Sequence, residues 1–113
     1  MATAAPVKVA AILGTALALA SFLAQATEIP RIIEAARIAT IAFSQDLPRR
    51  YQAPNNSDAA YLRNIDNYDI GLSQNTEAYI VLFRVRDRNF SGGGADYRIS
   101  KTDLKITKVN NHF

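Results

Sequence analysis

Cysteine and tryptophan are absent from this chain, and histidine and methionine occur once each in 113 residues. Without cysteine there are no disulfides, no thiolate zinc sites and no thiol nucleophile. The single histidine, His112, excludes a multi-histidine metal site and argues against a catalytic triad. Charged residues make up 20% of the chain and hydrophobic ones 49%, a balance unlike that of disordered sequences. The length allows one domain at most.

Charge is scarcest at the start. Across residues 1–26 the one charged side chain is Lys8. An apolar run rich in Ala and Leu extends from Val9 to Leu23, and Ala24-Gln25-Ala26 follows, placing small residues where signal peptidase needs them. A charged start, an apolar middle and a small-residue exit read as a secretory signal peptide, cleaved after Ala26. The run is short for a membrane span, which needs ~20 apolar residues. The next charge, Glu28, is acidic, so a basic stop-transfer flank is missing. An uncleaved anchor and a core helix are the two other readings. With no cysteine after the run, a lipoprotein anchor is not expected. The Ala-rich leader points to a bacterial periplasm or the extracellular space.

Removing 26 of 113 residues leaves the 87 from Thr27 to Phe113, with 12 Lys+Arg against 10 Asp+Glu, a net charge of +2. Neither that balance nor export fits a nucleic-acid protein. A cysteine-free secreted domain of this size must be held by its core alone, which is feasible.

The mature part reads as one long helix followed by a meander, an α+β chain. The helix is expected over residues 28–43, with Thr27 as its cap and Pro30 in the first turn. Ile29, Ile32, Ile33, Ala36, Ala39, Phe43 and Leu47 recur at three- and four-residue spacing, while Ile38 and Ile41 widen the stripe. Such a helix wants a concave, curved sheet. Pro48 is expected to stop it. Residues 48–67 are polar and read as a loop with a helical turn through Ala59–Leu62, capped by Ser57 or Asp58.

Three or four antiparallel strands follow. Tyr68, Ile70 and Leu72 alternate with polar residues, and Gln74-Asn75-Thr76 makes a turn. The strongest strand runs from Ala78 to Arg88, with Tyr79, Val81, Phe83 and Val85 on one face. Ile80, Leu82, Arg84, Arg86 and Arg88 fall on the other. Residues 89–94 form a glycine-rich, flexible turn. Ala95–Ser100 returns with Tyr97 and Ile99 inward, and Asp103–Asn110 closes the meander with Leu104, Ile106 and Lys108 on one side.

The closing stretch runs from Gly92-Gly93-Gly94 through Tyr97-Arg98-Ile99 to Lys101-Thr102-Asp103-Leu104-Lys105-Ile106. It resembles a hairpin of small exported proteins with the cystatin-like or nuclear-transport-factor-2-like architecture. In those, a glycine-rich turn leads to an aromatic-x-aliphatic strand and a Lys-Thr-Gly-x-Lys-Ile-like turn. Asp103 stands here in place of the turn glycine. Some proteins of that group are immunity proteins or small secreted modules. The group shares a shape and not a chemistry, so no catalytic residue is implied.

Few residues invite chemistry. Asp66 and Asp69 lie near Asn64 and Asn67, and Asp87 and Asp96 flank the glycine turn, but no EF-hand spacing is present. Neither a metal nor a cofactor is expected. Arg84, Arg86 and Arg88 alternate, and Arg98 on the next strand joins them in a basic stripe suited to carboxylates or phosphates. Ile80 and Leu82 share that face, and an apolar end beside a basic end is typical of an interface. Phe90, in the tip beside the glycines, is an anchor for a partner or folds back onto the core.

The expected function is therefore a small exported binding module, not an enzyme, acting stoichiometrically on an envelope or secreted protein as an inhibitor or immunity protein does. Ile80, Leu82, Arg84, Arg86, Arg98 and Phe90 are its candidate contacts. Two alternatives stand beside it. One is a small-ligand or lipid binder with an apolar pocket lined by Phe43, Tyr79 and Phe83. The other is a hydrolase or isomerase using Asp66, Asp69 or Asp96. A homodimer through residues 104–109 or through Ile80 and Leu82 is a further expectation.

Overall fold

The computed structural model describes residues 29–113. The leader expected over residues 1–26 and the Thr27 cap lie outside the described residues. Helix α1 spans Arg31–Arg50, and a short helix α2 spans Ser57–Arg63. A 3-10 turn at Ile65–Asn67 leads into four strands: β1 Tyr68–Gln74, β2 Ala78–Val85, β3 Ala95–Ser100 and β4 Ile106–Asn111. Neighbours in sequence are neighbours in the sheet, in the order β1-β2-β3-β4, and every pairing is antiparallel. The architecture is a helix packed on a four-stranded antiparallel sheet.

Helix α1 runs through Pro48, contrary to the expectation that proline would stop it. Proline costs the helix the bond its N–H would have made and crowds the preceding turn. Here the last turn is held from both sides: the Tyr51 N–H closes on the Leu47 carbonyl at 3.1 Å, and Arg50 is tied to the sheet. Its Nε meets Asp46 at 3.1 Å, its Nη1 donates to the Gly94 carbonyl at 3.0 Å, and its Nη2 donates to Asn111 Oδ1. At the other end Arg31 donates to the Lys101 carbonyl at 2.8 Å.

The buried stripe is Ala35, Ala39, Phe43 and Leu47, each fully buried. Ala39, Phe43 and Leu47 of the expected stripe are in it, Ile32 and Ala36 flank the core with Ile38, and Ile29, Ile33 and Ile41 are exposed, with Ala35 taking their place inside. The two alanines bring the helix backbone close to the sheet, and the Phe43 ring enters between the strands' side chains. That ring stacks on Phe83 with centroids 4.5 Å apart and meets Tyr68 edge-on at 5.0 Å and Tyr97 at 6.2 Å. Val81, Phe83, Val85, Tyr97 and Ile99 complete the core from β2 and β3.

Other local differences have physical causes. Asn56, not Ser57 or Asp58, caps α2, its Oδ1 accepting from the N–H groups of Asp58 and Ala59. Strand β2 ends at Val85, so Arg86 and Arg88 lie beyond the strand, although the Arg86 N–H still donates to the Asn67 carbonyl at 2.9 Å. The β3–β4 register slips between Arg98 and Ile99. The extra residue of this bulge puts Ile106 and Val109 on the helix side and Lys108 on the other, so the expected Leu104-Ile106-Lys108 face does not form. In the glycine-rich turn Gly92, Gly93 and Gly94 all take left-handed φ, and Gly94 is buried.

Two predictions follow from this core. Phe43→Ala removes the ring at its centre and lowers unfolding free energy by about 3–5 kcal/mol in urea titration. Burial pushes the Tyr68 and Tyr97 phenols above their ordinary value. Unfolded phenols ionise near ~10, whereas the folded ones hold their protons longer, so stability is intact below that pH and falls above it. Melting followed from pH 8 upward is expected to show that loss, and Tyr68→Phe to lessen it.

Candidate functional site: a basic cleft on the open sheet face

Helix α1 covers one face of the sheet. On the other face, register defines the rows of side chains. Gly71 lies beside Leu82 and Leu82 beside Asp96; Ser73 lies beside Ile80 and Ile80 beside Arg98. Asp69 lies beside Arg84, and Gly94 follows on the far side of Arg84. Gly71 thus flanks Leu82, and with no side chain there the face stays open around Leu82.

A cleft of about 800 Å³ occupies this region. Leu82, Arg84, Arg86, Arg88 and Phe90 line it, with Gly92, Gly93, Asp69 and His112. The basic stripe read in the sequence divides here into two kinds of arginine. Arg86 is engaged: its Nε donates to Asp69 Oδ1 at 2.9 Å and its Nη2 to the Tyr68 carbonyl at 3.2 Å. The Asp69 hydrogen bond raises the Arg86 pKa further, so it stays charged. Arg84 and Arg88 are exposed and make no ion pair or side-chain hydrogen bond among the described residues.

The other candidates fall in different places. Phe90 stacks on Tyr61 with centroids 5.3 Å apart, so one ring face rests on the core flank while the residue also lines the cleft. Ile80 sits half-buried on the same sheet face, one row further from the glycine turn. Arg98 lies there too, against a second cleft with Thr76, Glu77 and Lys101. Phe43, Tyr79 and Phe83, expected to line an apolar pocket, belong to the core, where the Phe43 and Phe83 rings stack directly, and Phe83 also borders the cleft. Asp96 accepts from Asn110 at 2.8 Å and meets His112 Nε2 at 3.3 Å. Asp69 serves Arg86, and Asp66 is exposed. Among the described residues no three His, Cys, Asp or Glu side chains group as a metal site would need. No described helix is long and apolar enough to cross a membrane.

Reading the sequence for charge missed the glycines. Their signal was nevertheless present: Gly71 interrupts an alternating strand at an outward position. The two positions differ in what they tolerate. A Cβ on Gly94 would lie 2.1 Å from the Phe83 carbonyl oxygen, at φ +93°, whereas one on Gly71 would meet Leu82 Cβ at 3.7 Å. Gly94→Ala is expected to cost at least about 1–3 kcal/mol in chemical denaturation. Gly71→Ala is expected to be neutral or to stabilise by up to about 1 kcal/mol.

No protein-family model matches the chain, no curated protein matches its sequence, and no solved structure matches it.

Proposed function

We propose that this chain is a small exported binding module that acts stoichiometrically on a protein of the cell envelope or the extracellular space. One observation carries the reading. Two exposed guanidiniums without ion-pair partners among the described residues, Arg84 and Arg88, stand in an open cleft beside the apolar Leu82 side chain. Guanidiniums left without partners on a surface that also exposes leucine favour an acidic segment with an apolar residue next to it. The planar fork of each arginine takes a carboxylate through two hydrogen bonds, and Leu82 with the free face of Phe90 takes the apolar neighbour. Ile80 and Arg98 extend the contact along the sheet.

An inhibitor or immunity role fits this mode of action, because occupation of the partner's surface is then the whole effect. The likeness to cystatin-like or nuclear-transport-factor-2-like proteins rests on element order and on the closing hairpin, and it belongs to this proposal. So does export through residues 1–26, which the small-residue exit at Ala24-Gln25-Ala26 supports.

The test is crosslinking and capture from the envelope fraction of the host. Wild-type bait is expected to retain one protein in equal stoichiometry, with retention falling as salt rises to about 0.5 M, because exposed charges are then screened over a few ångströms. Arg84→Glu/Arg88→Glu is expected to abolish capture. Arg49→Glu, an exposed charge reversal on α1, is expected to leave it intact. Capture that survives the double reversal would rule out the cleft as the contact.

A further inference from the structure

A second surface borders the cleft and shares only Asp69 with it. It lies on the outer edge of β1, and both its backbone and its side chains are unsatisfied. In the β1–β2 ladder the Asn67 carbonyl accepts from the Arg86 N–H at 2.9 Å, and the Asn75 N–H donates to the Ala78 carbonyl at 3.0 Å. Antiparallel strands alternate bonded and non-bonded pairs, so odd-numbered residues of β1 face β2 and even-numbered ones face outward. Tyr68 is already engaged: its N–H donates to the Ile65 carbonyl, and its own carbonyl accepts from Arg86 Nη2. Ile70, Leu72 and Gln74 have no backbone partner on their outer side among the described residues.

The side chains tell the same story. Ile70 pairs with Phe83 and Leu72 with Val81, so both sit on the helix side of the sheet. Yet they are 48% and 41% exposed, because α1 does not reach them. Edge strands are normally blunted by lysine, proline or a bulge. On the opposite edge, β4 carries Lys108 and the bulge, and its end is tied through Asn111 to Arg50. Strand β1, with the sequence YDIGLSQ, has neither lysine nor proline and no register shift. Its one charge, Asp69, is neutralised by Arg86.

We propose that β1 is the seam of a homodimer, in which two copies pair antiparallel about a two-fold axis at Leu72 and the sheets join into one. The strand is complementary to itself in that register. Leu72 faces the partner's Leu72, and Ile70 faces the partner's Gln74 on the helix side. Each facing pair exchanges two N–H···O bonds, about six in all, and these use every outward group left open on Ile70, Leu72 and Gln74. On the other side of the sheet Asp69 faces the partner's Asn75, so no like charges meet. A second copy satisfies hydrogen bonds, apolar surface and charge with one strand.

Sedimentation equilibrium of the protein purified as its host produces it is expected to give twice the mass of one chain. Leu72→Lys, which sets two ammonium groups against each other at the axis, is expected to give the mass of one chain. Val109→Lys, the same change at a comparably exposed residue of the opposite edge, is expected to remain dimeric. Circular dichroism checks that both variants fold. Amide exchange in the wild type reads the seam directly: the Ile70, Leu72 and Gln74 N–H groups are expected to gain protection as concentration rises. A single-chain mass at every concentration would overturn the proposal. So would a dimer lost in Val109→Lys and kept in Leu72→Lys, or a wild-type dimer whose three β1 amides exchange freely.

Discussion

One helix is too narrow for four strands, and most features of this molecule trace to that mismatch. A helix with its side chains is about 10–12 Å across, whereas strands are spaced about 4.8 Å apart. It can cover two strands closely, and α1 covers β2 and β3. The inward residues of these central strands are almost wholly buried. On the edge strands Tyr68 alone of the inward residues is buried: Ile70 and Leu72 on β1, and Ile106 and Val109 on β4, all remain exposed.

Within that narrow contact the aromatic packing centres on Phe43. Its ring touches aromatic residues from three strands, Tyr68, Phe83 and Tyr97, while Ala35 and Ala39 let the helix backbone approach. Arg50 then closes the end of the helix over the ring. The guanidinium sits 5.5 Å from the Phe43 centroid and reaches the Gly94 carbonyl and Asn111. A buried guanidinium needs partners on every side. Asp46, Gly94 and Asn111 provide them, and in doing so they join α1 to the turn before β3 and to β4. The glycine turn belongs to this arrangement, since the Gly94 carbonyl also accepts from His112.

The uncovered surfaces differ in chemistry. The face away from the helix is mixed, with arginines beside leucine and Gly71 leaving the leucine uncovered. The β1 edge is apolar and rich in open backbone groups. An acidic side chain suits the first and an extended strand suits the second, so the two proposed contacts rest on different chemistry.

Much of the fold was legible in residue order. Alternation along residues 78–85 sorts Tyr79, Val81, Phe83 and Val85 from Ile80, Leu82 and Arg84, because a strand has period two whatever it packs against. The α+β layering follows from one apolar helix preceding several alternating segments. Other features depend on partners distant in sequence. Whether Pro48 ends a helix depends on what holds the turn beyond it, and Arg50 finds its partners 44 and 61 residues away. The three- and four-residue spacing placed Ala39, Phe43 and Leu47 toward the sheet, but the edge of the stripe could not be read from a helix apolar over most of its circumference: Ala35 is buried while Ile29 and Ile33 are exposed. The division of the arginines into one bound to Asp69 and two open ones needs the β1–β2 register, and the side taken by Lys108 needs the bulge. Periodicity is a property of the local backbone and is written into the sequence. Partnership and exposure depend on which distant segment arrives alongside, and only the tertiary structure decides that.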